Sequence, residues 1–286
     1  MGGTDSRYGY SNAASMVLVL LTAPILGAMS DQAQRRIPFL VGTTCCCVAF
    51  TFALGIGGLT ASLVVFVFAN YMFQSGLIFY DALLPTISTN ENLGRVGAFG
   101  VALGYVGSII GAISGIVLLD EIGRVGIFRL TAVLFLVFSI PCFIFVKDSP
   151  AVQLRFRLKT IASSVSKVRR TFSKINEFPG LKRFFIGRMF YADTVNTLIL
   201  FIGIYVTNEL GLSDRHVQIV LIASIITAIL GAPIWGLVVD MIGPKKTLNI
   251  VLYLWVIVLL AISGIPIFDL PSGLIWAVGP LSGLAL

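Results

Sequence analysis

Apolar residues run in stretches long enough to cross a bilayer, and polar residues collect in short joints between them. The stretches occupy 10 to 30, 38 to 57, 61 to 85, 95 to 119, 127 to 147, 183 to 206, 216 to 240 and 248 to 267, and another begins near Ser272. Each has the length of a membrane helix, about 17 to 25 residues. Backbone amides cannot remain unpaired in hydrocarbon, and no alternating pattern suggests a closed barrel, so the stretches predict helices. The expected fold class is all-α, a polytopic membrane protein with eight full transmembrane helices and part of a ninth.

One pattern occurs twice. Ala23-Pro24-Ile25-Leu26-Gly27-Ala28-Met29-Ser30-Asp31, followed by Arg35 and Arg36, returns as Ala232-Pro233-Ile234-Trp235-Gly236-Leu237-Val238-Val239-Asp240, followed by Lys245 and Lys246. A constant offset of 209 residues extends the match upstream, carrying Ala14, Ser15 and Leu21 onto Ala223, Ser224 and Leu230. A long-range repeat built of apolar segments suggests a duplicated membrane domain. The expected organisation is an N-terminal helical half at 1–147, a cytoplasmic basic linker at 148–182 and a partial C-terminal half at 183–286. The counterpart of the run at 183 to 206 would fall upstream of Met1, and Leu286 aligns inside the run at 61 to 85. The expected parent is therefore two repeats of six helices, with the first helix and the last ones outside this chain.

Composition agrees with lipid as the main solvent: 57% of the residues are hydrophobic and 12% are charged, against about 25% charged in soluble domains. The net charge of +7 raises the question of nucleic acid, and charge placement argues against it. With the Asp31 end taken as cytoplasmic, every Lys and Arg except Arg7, Arg124, Arg129 and Arg215 lies inside. Within the linker, Leu154, Leu158, Ile161, Val165, Val168, Phe172 and Ile175 recur at helical spacing among seven bases. That pattern predicts an amphipathic helix on anionic lipid head groups over 154–175, or else a solvated linker. Cys45, Cys46 and Cys47 splay around a helix and cannot share a metal. With no Walker loop, nucleophile elbow or metal-ligand spacing in view, neither an enzyme nor a cofactor is expected.

Polar residues inside the apolar runs are the candidate chemistry. Asp193 lies about 15 Å from Arg183 along a helix, near the bilayer centre, with Asn196 and Thr197 on its face. A carboxylate there is costly unless it meets water or a partner. Tyr191 and Arg188 accompany it, Arg188 being able to pair with Asp193 or Asp81. Asn70 falls at the midplane of the run at 61 to 85, Gln74 one turn further, and Asp81 nearer its end. These eight residues are the expected substrate or ion pathway. Gly27, Asp31, Arg35, Arg36, Gly236, Asp240, Lys245 and Lys246 are the expected cytoplasmic gate, where each glycine admits a neighbouring helix. Each aspartate can then accept hydrogen bonds from a helix N-terminus or pair with an arginine.

Gly27, Asp31, Arg35 and Arg36, with Gly236, Asp240, Gly243, Lys245 and Lys246 in the second copy, resemble the Gly-x-x-x-Asp-basic signature of the major facilitator superfamily. Within it, the chain is most similar to the vacuole-effluxer group related to autophagy proteins. Tyr10-Ser11-Asn12, Phe79 to Pro85, Gly94-Arg95-Val96, Ala102-Leu103-Gly104-Tyr105 and Tyr191 to Thr197 carry that resemblance. It implies the major facilitator fold and a secondary transporter that exports small metabolites such as amino acids by alternating access. It places the protein in the plasma membrane of a prokaryote or the vacuolar membrane of a fungus. Asp81 or Asp193 would carry the proton if transport is proton-coupled. The alternative is a non-transporting membrane scaffold or binding protein, or an inactive fragment of a transporter.

Overall fold

The computed structural model describes residues 2–33, 35–89, 91–146, 177 and 180–285. Within them the chain is helical, without strands: α1 (Gly2–Ala33), α2 (Ile37–Phe52), α3 (Gly58–Asp81), the short α4 (Leu84–Ile87), α5 (Leu93–Phe145), α6 (Leu181–Asn208), α7 (Asp214–Ile242), α8 (Pro244–Ile267) and α9 (Ile275–Leu284). The spans Ser6–Asp31, Gly58–Ile87, Leu93–Phe145, His216–Ile242 and Pro244–Ile267 are long and apolar enough to cross a membrane. The all-α polytopic membrane class expected from the apolar runs is thus the class observed. The chain is an integral membrane protein. The basic stretch 154–175 lies outside the described residues.

Two differences from the apolar pattern have local causes. The run at 38 to 57 ends as a helix at Phe52, because Gly55 and Gly57 take φ of 92° and 83° and turn the chain toward α3. The runs at 95 to 119 and 127 to 147 appear inside one element, α5, interrupted at Gly123 with φ 66° and ψ 175°. An unbroken helix of that length would reach about 80 Å at 1.5 Å per residue. Its two arms are about 45 Å and 33 Å long, each sufficient for a hydrocarbon layer of about 30 Å.

Two compact units emerge, Met1–Ile87 with Ile113–Ile175, and Ser88–Ala112 with Asn176–Leu286. In the first unit, α3 packs between α1 and α2. Its core is Leu40, Phe79 and Leu83, closed over by Leu26, Phe39 and Phe143. The rings of Phe39 and Phe79 stack with centroids 5.3 Å apart. In the second unit, Trp255, Val258, Ile262 and Val278 join α8 to α9, with Val195, Leu198, Ile202 and Tyr205 of α6 laid against them. A second cluster of Val206, Val217, Val220 and Ile275 joins α6, α7 and α9. Large apolar side chains such as Leu20, Leu230 and Leu260 remain exposed on the helix flanks. Such flanks are what a lipid-facing surface requires, since acyl chains are as apolar as leucine.

Candidate functional site

The second Gly-x-x-x-Asp copy closes a clamp at the start of α5. The first amides of a helix have no acceptor within it and form the positive end of its dipole. In α5 these include the N–H groups of Gly94 and Arg95. Both donate to the Asp240 carboxylate from the last turn of α7, Gly94 at 2.9 Å to Oδ1 and Arg95 at 3.3 Å to Oδ2. The Arg95 Nε adds a third donor at 2.8 Å to Oδ2. The Asp240 side chain is left 7% exposed, against 56% for Arg95. The carboxylate is therefore held mainly from the helix side, with the arginine as an outer cover.

The glycine one turn earlier explains the spacing. Gly236 and Asp240 stand at i and i+4 on one face of α7. A Cβ on Gly236 would lie 2.6 Å from the Ala98 Cβ and 2.9 Å from the Gly94 carbonyl oxygen. A Cβ on Gly94 would lie 2.5 Å from Asp240 Oδ1 and 2.8 Å from the Gly236 carbonyl oxygen. Only two glycines facing each other let the carboxylate reach the α5 amides. Lys245 and Lys246 follow in the first turn of α8 and are exposed.

The first copy stands differently. Asp31 is 67% exposed and meets Arg36 Nη2 at 3.3 Å. Arg36 also donates through Nη1 to the Ala82 carbonyl oxygen just past α3 and to Thr86 Oγ1. It thereby supplies positive charge where a helix C-terminus presents unpaired carbonyls. Arg35 is exposed, and a Cβ on Gly27 would meet nothing within 4 Å.

In the same first unit, Asn70, expected near the midplane from its place in the apolar run, joins α3 to α1. Its Nδ2 donates to Asn12 Oδ1 at 3.0 Å and to Ser15 Oγ at 2.6 Å. Ser15 is fully buried, and its hydroxyl proton goes to the Asn12 carbonyl at 2.7 Å. Gln74 follows one turn on, half-buried, and Asp81 closes α3, exposed.

A family model described as "Vacuole effluxer Atg22 like" matches residues 3–268. The chain belongs to the Atg22-like vacuole effluxer family. This Atg22-like chain is 26% identical over 250 residues to an uncharacterised protein of Aquifex aeolicus (strain VF5), covering 87% of this chain and 60% of that protein. It is 24% identical over 270 residues to the uncharacterised MFS-type transporter YxiO of Bacillus subtilis (strain 168), covering 87% of this chain and 61% of the relative. The chain thus spans about three fifths of the length of these curated relatives, and the major facilitator resemblance read from its motifs is upheld.

The remaining residues of the Atg22-like chain expected to line a pathway lie on α6. Val195, Leu198, Ile202 and Tyr205 face α8, and at 100° per residue Asp193, Asn196 and Thr197 fall on the opposite side. All three are exposed there, without a hydrogen bond or ion pair among the described residues. By helical period Arg188 and the half-buried Tyr191 fall on the α8-facing side instead, where Arg188 is exposed and makes no pair with Asp193. The pattern along the chain marks Asn70 as a candidate, while Asn12 and Ser15 enter only through the family resemblance and the repeat, and Gly94 and Arg95 only through the resemblance, with no sign that their amides meet Asp240. The 209-residue alignment of Ser15 with Ser224 was the available signal for the serine.

Proposed function

We propose that the chain forms part of a secondary transporter, with Asp193, Asn196 and Thr197 lining its aqueous path and the Asp240 clamp gating its cytoplasmic mouth. One observation carries this reading: Asp193 projects from the middle of α6, away from the face that packs on α8. A carboxylate at that depth costs several kcal/mol in lipid, so a wet path or a protein partner must meet it. Hydroxyl and amide neighbours at i+3 and i+4 make that side of α6 a polar stripe suited to a passing solute. Membership in the vacuole effluxer family and similarity to an MFS-type transporter support the same direction.

Small neutral metabolites such as amino acids are the proposed cargo, moved by alternating access, with Asp193 as the proton-binding group. Asp240 acts by holding the α5 amides until the path must open. The test uses the full-length protein in proteoliposomes under an imposed pH gradient. Asp193→Asn is expected to lower amino-acid flux by at least about tenfold and to remove its dependence on the gradient, as expected when a group acting in the transport step is neutralised. Unchanged rate and unchanged pH response in that variant would defeat the reading.

A further inference from the structure

The repeat makes it possible to compare one position in two chemical settings. The offset of 209 carries Ser15 onto Ser224 and Asn70 onto Gly279. In both units the serine joins the same pair of helices, yet by different means. Ser224 donates to the Gly279 carbonyl at 2.8 Å, and Thr227 beside it donates to the Pro280 carbonyl at 2.8 Å. There α7 and α9 touch backbone to backbone: a Cβ on Gly279 would lie 2.5 Å from Val220 Cγ1, and one on Gly283 would overlap the Ser224 carbonyl. Among the described residues, the hydroxyls of that seam, Ser224, Thr227 and Ser282, are all hydrogen-bonded. In the first unit an asparagine side chain takes the place of the backbone carbonyl.

Hydrogen-bond polarity then fixes what remains. Since the Ser15 proton is directed to the Asn12 carbonyl, the group facing its lone pair must be a donor, so Asn70 turns its NH2 inward. Both hydrogens of that NH2 are taken, one by Ser15 Oγ and one by Asn12 Oδ1. Asn12 is thereby oriented with its own NH2 turned away from Asn70. Among the described residues, the groups left without a protein partner are the two N–H donors of Asn12 and the carbonyl oxygen of Asn70. Both residues are only half-buried.

We propose that Asn12, Ser15 and Asn70 form a neutral polar subsite that binds a solute group offering an acceptor beside a donor, without net charge. Carboxamides and the zwitterionic heads of neutral amino acids have that chemistry. Asn12 and Asn70 touch the solute, and Ser15 is a positioning residue that sets the amide orientation. This assignment rests on the transport reading for its purpose, and its own evidence is the hydrogen-bond pattern in the first unit. Simple inter-helix adhesion would need no leftover donor and acceptor, as the glycine seam of the second unit demonstrates.

The experiment measures melting of the full-length protein in detergent with L-glutamine as probe, and acetate and methylammonium as acceptor-only and donor-only controls. Glutamine is expected to raise Tm while the controls do not. Asn12→Asp keeps an oxygen for the Asn70 amide and loses both solute donors, so glutamine is expected to bind the folded variant about tenfold more weakly, read as a smaller glutamine-induced rise from that variant's own basal Tm. If that variant does not fold, Ser15→Ala provides the comparison, with the same weakening through misorientation of Asn70. No stabilisation of the parent, or equal stabilisation of parent and variant, overturns the subsite. Binding without glutamine flux in proteoliposomes would leave the subsite standing and defeat the transport reading instead. Flux with a KM unchanged by Asn12→Asp would do the reverse.

Discussion

Asp240 and Arg95 meet through one side-chain and one backbone contact, the Nε at 2.8 Å and the amide at 3.3 Å from the same carboxylate oxygen. The two contacts have different weights. An ion pair whose basic partner is more than half exposed is screened by water and contributes little, whereas amides at a helix start are fixed donors aligned with the dipole. Arg95→Ala should therefore leave most of the clamp intact. Asp240→Asn keeps only one acceptor oxygen and should open it. Thiol labelling of a single cysteine placed at Ala98 is expected to accelerate on the order of tenfold in Asp240→Asn, the range of a modest two-state bias. In Arg95→Ala it should change by less than about twofold.

Steric contact at the same clamp gives a second expectation. Gly94→Ala and Gly236→Ala each force a methyl into backbone or carboxylate at the distances found above. Overpacking of this kind costs about 1 to 3 kcal/mol. Gly107→Ala, where a Cβ meets nothing within 4 Å, should be neutral or slightly stabilising, since alanine is favoured over glycine in a helix by about 0.8 to 1 kcal/mol. Thermal melting of the three variants in one detergent decides the matter: equal Tm values would contradict the close approach.

The glycine seam between α7 and α9 should be the least forgiving place in the second unit. At Gly283 the obstacle is the Ser224 backbone carbonyl, which cannot rotate aside. Gly283→Ala is expected to cost about 3 kcal/mol or more. Ser224→Ala removes a buried hydroxyl bond and should cost only about 0.6 to 2 kcal/mol, as inter-helix hydrogen bonds in membranes do. Monodisperse yield after size-exclusion chromatography, followed by melting of the folded fraction, separates the two.

Arg36 and Asp31 present the opposite balance to Asp240 and Arg95. Here the acid is the exposed partner, at 67%, and the arginine has further acceptors at Ala82 and Thr86. Asp31→Asn is expected to change stability by less than about 0.5 kcal/mol. Arg36→Ala should cost about 1 kcal/mol or more, because the α3 terminus loses its counter-charge. Arg36→Lys should recover part of this, since an ammonium can neutralise the helix end but cannot fork between two elements.

Much of the architecture is legible in the sequence, because lipid forces each crossing to be a helix and each helix to be apolar along its length. Helix ends are less legible: the turn at Gly55 and Gly57 lies inside an apolar run, where hydropathy does not register positive φ. The duplicated Gly-x-x-x-Asp pattern identifies Asp240 and Gly236, but not the α5 amides that receive the carboxylate. Any helix start offers such amides, and only the fold selects one. Asn70 stands out as a polar residue in an apolar run. Ser15 and Asn12 show only in the repeat and in a family motif, and that they meet Asn70 is visible only once α3 is laid against α1. Asp193 stands out in the sequence because a carboxylate within an apolar run is costly unless it meets water or a partner.

Gly123 also works as a divider. Each arm of α5 is long enough for one stroke through the bilayer, where the unbroken rod would overshoot it more than twofold. One achiral residue, held at φ 66°, thus lets two bilayer-length helical arms follow each other in the chain with no separate loop between them.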